Sequence, residues 1–114
     1  MIIPPRVVRR RKKGWKMPPG CTYVGRPTVW GNRWHVTKNR SAEEAVRLFQ
    51  KHMMEPEQAW LREKAKRELR GRPLACWCPL DRPCHADVLL AIANDVDLEM
   101  VFRENSMRAK SEGA

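Results

Sequence analysis

The spacing of apolar positions changes several times along the chain, and each change marks an element. Leu74 to Cys78 is a short apolar run held between Pro73 and Pro79, which predicts a buried strand. In such a strand Cys76 and Cys78 share one face, while Ala75 and Trp77 share the other. A polar loop from Pro79 to Pro83 follows. Ala86 to Ala93 is then apolar enough to predict a buried helix ending near Asn94. Upstream, Ala42, Ala45, Val46, Phe49 and Met53 recur at helical spacing. They follow Ser41-Ala42-Glu43-Glu44, a capping box that opens a helix. Pro56 separates this helix from a second, Glu57 to Arg70. Its buried side takes Trp60 or Leu61, Ala65 and Leu69, and Gly71 stops it.

Two further strands are predicted near the start. Arg6 to Lys13, with Val7 and Val8, reads as a strand that becomes a charged edge. Cys21 to Gly25, with Thr22, Tyr23 and Val24, reads as the next. Gly14 to Gly20 between them is a loop. Beyond Asp95 the pattern predicts a short helix through Leu98, Met100, Val101 and Phe102, then a loose tail from Ser106 to Ala114. The expected fold is therefore α/β, in the order β-β-α-α-β-α: a small mixed sheet of about three strands packed by helices. One domain covers residues 1–94, with a basic segment over residues 1–40. Residues 95–114 form a partly flexible extension.

Charge sharpens this picture. Residues 1–40 hold eleven Lys and Arg and no Asp or Glu, whereas the rest holds twelve against thirteen. The whole excess of +10 thus belongs to the first third. A field of that kind attracts nucleic acid, nucleotides or an acidic protein, or serves as a solvated basic arm. No apolar run reaches the roughly 20 residues of a membrane span, and Met1 to Pro5 is too short for a secretory core. The expected setting is soluble and cytoplasmic, where cysteines stay reduced.

Two segments carry candidate chemistry. Arg26-Pro27-Thr28-Val29-Trp30-Gly31-Asn32-Arg33-Trp34 is dense in recognition groups. Arg26 and Arg33 suit a phosphate, and Gly31-Asn32 suits positive φ and close approach of a ligand. Trp15, Trp30 and Trp34 are candidates for stacking on bases. The alternative is a turn pinned by aromatic packing, with His35 as a surface residue. The second segment holds Cys76, Cys78, Cys84 and His85, four ligands of a type suited to zinc. Cys84, at the start of a helix, is equally a candidate nucleophile with a lowered pKa, tuned by His85 and Asp87. The plain alternative is buried cysteines with His85 and Asp87 capping the helix. Metal, catalysis and packing all remain open, and Cys21 is a further conceivable ligand.

Tyr23-Val24-Gly25-Arg26-Pro27, Trp30-Gly31-Asn32, Leu74-Ala75-Cys76-Trp77-Cys78 and Pro83-Cys84-His85-Ala86-Asp87-Val88-Leu89 occur in an order that resembles the domain of unknown function family 4326. The resemblance covers about residues 6 to 94 and implies a phage or bacterial origin, with no mechanism attached. The family usually has Pro after Gly-Asn, where this chain has Arg33.

The expectation is that both segments line one pocket. Arg26, Trp30, Gly31, Asn32, Arg33 and Cys78 would contact a nucleotide or a nucleic-acid phosphate, with the Cys84 helix start supplying N–H donors. Cys84, His85 and Asp87 would lie nearest any reacting atom, as in an enzyme of nucleotide or nucleic-acid metabolism. The alternative is a non-catalytic, zinc-stabilised module that binds nucleic acid or a host protein.

Overall fold

A computed structural model describes residues 3–112 of the chain. Met1, Ile2 and the last two positions of the expected tail lie outside these residues. The elements are β1 (Arg6–Val8), β2 (Thr22–Tyr23), α1 (Ala42–Met53), a 3-10 turn (Pro56–Gln58), α2 (Ala59–Glu68), β3 (Leu74–Cys76), α3 (His85–Asn94) and α4 (Leu98–Glu112). The expected α/β order is present, with α4 added at its end.

The sheet runs β1-β3-β2, and both pairings are parallel. Arg6, Val7 and Val8 sit opposite Leu74, Ala75 and Cys76, while Thr22 and Tyr23 sit opposite Leu74 and Ala75. A parallel pair needs a long connection: α1 and α2 carry the chain from β2 to its partner β3, while β1 and β2, on opposite sides of β3, are joined by a loop. The middle strand is buried along its whole length, which is why Leu74 to Cys76 reads as a continuous apolar run. The strands are shorter than expected. β1 stops at Val8 and β3 at Cys76, because the chain bends at Trp77-Cys78 to leave the sheet.

Side chains fix the helix ends. Ser41 Oγ accepts the Glu44 N–H at 3.1 Å and starts α1. Arg62 donates to the Met53 and Glu55 carbonyls at the other end. Leu61, not Trp60, faces the core. Arg70 donates to the Ala93 carbonyl and pairs with Asp95, so it closes α3 as well as following α2. Gly71, at φ 74°, allows the turn from α2 into β3. α4 reaches Glu112, past the Ser106 where a loose tail was expected. Its inner side carries Val101 and the buried Asn105, a polar residue that periodicity does not count as core. Among the described residues no helix is long and apolar enough to cross a membrane.

Candidate functional site

β2 and β3 end side by side, and α3 begins a few residues after β3. The chain beyond these ends encloses a cavity of about 500 Å³. One wall carries Gly25, Arg26, Asn32, Trp34 and His35. The other carries Trp77, Cys78, Arg82, Cys84 and His85, and Cys76 lies at its edge. The two segments expected to converge therefore do so, at the carboxyl ends of parallel strands where α/β sheets commonly hold ligands.

The sulfurs form the floor. Cys76, Cys78 and Cys84 bring their Sγ atoms within 4.8 Å of one another, a group that could hold a metal ion. The Cys76 and Cys84 sulfurs are 3.1 Å apart. His85 is not in this group, although its Nδ1 lies 3.5 Å from the Cys84 sulfur. Its Nε2 is 2.7 Å from the Val24 carbonyl, and a carbonyl only accepts, so Nε2 carries the proton and Nδ1 presents a lone pair. Burial lowers the His85 pKa from its ordinary value, which keeps this ring neutral. Cys21 is free and is not part of the sulfur group.

The thiol pKa values run opposite to the expectation for Cys84. Its contact with Cys76, with burial behind it, pushes Cys84 up to about 12. The contact with Cys78 and burial push Cys76 up to about 11. Cys78 is drawn down by Cys76, yet its contact with Cys84 and burial carry it up to about 11. Three crowded, half-buried or buried sulfurs cannot all ionise without a cation, and this outweighs the α3 dipole.

A cation lies beneath them. The Arg6 side chain has no exposed surface, and its Nε stands 3.2 Å from Asp87 Oδ1. That contact is electrostatic, because Nε is not aligned as a hydrogen-bond donor. The guanidinium also donates to the Pro79 and Arg82 carbonyls at 3.0 and 2.7 Å and reaches Cys76 Sγ at 4.0 Å. Burial acts to lower its pKa, but Asp87, Cys84 and Cys76 together raise it. Burial in turn raises the Asp87 carboxyl against Arg6, the Cys84 N–H and Asn105. The Cys84 N–H and the Asn105 amide donate to Asp87 and Arg6 faces it as a charge, so all three favour its carboxylate form against burial.

A scan against known families matches the chain over residues 7–95 to the domain of unknown function DUF4326. The chain belongs to this family. No curated protein and no solved structure matches it. The family match covers both walls of the cavity and the whole sulfur group, as well as Arg6's neighbours in β1.

Several expected site residues take other roles in this DUF4326 domain. Asp87 does not line the cavity. Its Oδ2 accepts the Cys84 N–H at 2.9 Å, so that donor is not free for a ligand. Trp30 is 5% exposed and belongs to the core, because the Thr28–Gly31 turn folds its ring inward. Gly31 does not adopt positive φ. It lies against Arg26, and a Cβ there would meet Arg26 Cγ at 2.9 Å. Arg26 Nη1 donates to the Asn32 carbonyl at 2.8 Å, which fixes the guanidinium at the rim. The Asn32 side chain lines the cavity but ties the turn to α1, donating to Ala45 O and accepting from Trp34 N. Arg33 points away. It lies over Trp34 and contacts His52, and Arg82 supplies the second cation of the cavity instead.

The sequence reading also missed Arg6, Arg82, His35, Tyr23 and Trp77. For Arg6 one signal existed: it falls on the same strand face as Val8, the face that register places beside Leu74 and Cys76. The others are loop or strand-end residues whose direction no periodicity reports.

Proposed function

We propose that the cavity binds a phosphate-bearing nucleotide. One observation carries this reading: Arg26, Arg82 and His35 line the cavity together with the rings of Tyr23, Trp34 and Trp77, and no Asp or Glu lines it. Such a lining favours an anion bearing an aromatic base, because the arginines take phosphate oxygens and the rings take a base face. The volume of about 500 Å³ falls within the range of small-ligand sites. Chemistry on such a ligand would fall to Cys84 and His85, with the neutral Nδ1 of His85 as the proton acceptor. That extends the reading to an enzyme of nucleotide or nucleic-acid metabolism, for which Cys84→Ala abolishes turnover without unfolding.

Calorimetric titration with nucleoside mono-, di- and triphosphates tests binding. Affinity above that for inorganic phosphate, weakened about tenfold or more by Arg82→Ala, is the expected result. Arg82 supports Arg6 through its backbone carbonyl, so the truncation spares that contact. Absence of binding at millimolar nucleotide overturns the reading.

A second reading rests on the sulfur group. We infer that Cys76, Cys78 and Cys84 hold zinc as thiolates, with Arg6 balancing the remaining negative charge. Three protein ligands leave one zinc position for a further ligand. This makes the domain a zinc-stabilised module with or without turnover. Metal analysis of protein purified without chelator tests it: one zinc per chain is expected, and none after zinc-supplemented expression removes it.

A further inference from the structure

Tyr23, Arg9, Trp77 and Arg11 form a continuous stack at the mouth of the cavity. The Arg9 guanidinium lies 4.6 Å from the Tyr23 ring centre and 4.8 Å from that of Trp77, and Arg11 lies 4.5 Å from Trp77. Trp77 nevertheless stays 40% exposed. Arg9 Nε is buried between the rings without a hydrogen-bond partner. Tyr23 and Trp77 also line the cavity, so the stack ends at its mouth. At its other end the chain continues through Arg10, Arg11, Lys12, Lys13 and Lys16, which form no ion pair among the described residues.

Cations stacked with rings are an arrangement that tracks a single strand: bases stack on exposed guanidinium planes and on the exposed part of a ring, and each phosphate needs a positive neighbour. A duplex hides its base faces and leaves none to stack on this column of guanidiniums and rings. An acidic protein would use the charges but has no need of an exposed ring between two arginines. We propose that this face binds single-stranded nucleic acid and leads one of its nucleotides into the cavity. The proposal rests on the nucleotide reading of the cavity and names the polymer as its ligand.

Fluorescence anisotropy of a labelled 12-nucleotide single strand tests it, with titration of the mononucleotide run in parallel. The expected result is that the strand binds at least tenfold tighter than the mononucleotide, that Trp77→Ala weakens it about tenfold, and that Arg11→Ala lowers the dependence of log K on log salt by about 0.7. Arg11 does not line the cavity, so its variant weakens the strand far more than the mononucleotide. Equal binding of an abasic strand of the same length, tighter binding of duplex, or a Trp77→Ala variant with unaltered affinity for the strand overturns the proposal. Failure of the cavity reading looks different: the mononucleotide does not bind while the strand still does, and the proposal is then reduced to surface binding and is also overturned.

Discussion

Arg6 Nε and Asp87 Oδ1 face each other at 3.2 Å, and neither side chain is more than 1% exposed. One comes from the first strand and the other from the first turn of α3. The pair therefore joins the start of the fold to the helix that carries Cys84 and His85. It also places a fixed positive charge under the sulfurs, where thiolates or a metal thiolate group would need it.

Breaking this pair from one side leaves an uncompensated buried charge. Arg6→Met is expected to cost about 3–5 kcal/mol in urea unfolding, because Asp87 loses its counterion. The double variant Arg6→Met/Asp87→Asn should recover a large part of the loss. A double variant no better than the single would show that Arg6 acts through packing rather than charge.

Zinc should raise the melting temperature if the sulfurs bind it. Ligand mass action gives about 2.7 kcal/mol at a hundredfold excess over Kd. Cys78→Ser is the informative variant, because Cys78 is only half-buried and its change disturbs the core least. Loss of the zinc-dependent shift in this variant, with folding retained, is the expected calorimetric result.

Stability of the metal-free protein should narrow from both sides of pH. Cys76 and Cys84 ionise near 9 in the unfolded chain but only at about 11 and 12 in the fold. Their contribution is complete below pH 9 and is lost as pH rises toward 11 and 12, at up to about 1.4 kcal/mol per pH unit for each thiol. His85 works at the acid side: its folded pKa is lowered below 6.5, so the unfolded chain takes up the proton first. Stability due to His85 is present above that value and declines as pH falls beneath it. Urea midpoints at pH 5.5, 7.5 and 10 should peak in the middle, and Cys84→Ala should flatten the alkaline fall.

Gly31→Ala should destabilise the turn by about 1–3 kcal/mol, the usual range for overpacking. The added methyl meets Arg26 Cγ at 2.9 Å and displaces the guanidinium from the Asn32 carbonyl. A lower thermal midpoint together with weaker nucleotide binding is the expected pair of effects. A glycine needed only for backbone freedom would affect the first alone.

Much of the fold was legible because its rules are local. Ser41 and Glu44 are three residues apart in one helical turn, and the Ser41 half of the expected capping box is formed. The apolar run at Leu74 announced a central strand because parallel strands are covered on both faces. The sulfur group was legible in part: the order Cys-x-Cys then Cys-His named the right segment but included His85, whose ring is turned to Val24 instead. Arg33 was assigned to the ligand and Asp87 to the chemistry because they carry charge near the motifs. Their directions depend on Trp34, Cys84 and Asn105, which local spacing does not place.

By itself, the order of residues determined the α/β class, the family, the segments that bear chemistry and the placing of excess charge in the first third. Periodicity, caps and turns act over a few neighbours, so a linear reading reaches them. Which charges are buried and which face the cavity was decided only when β1 paired with β3. That pairing put Arg6 under the sulfurs and laid Arg9 between Tyr23 and Trp77. The reason is physical: burial and Coulomb energy depend on distance in space, and the fold brings together partners that lie far apart along the chain.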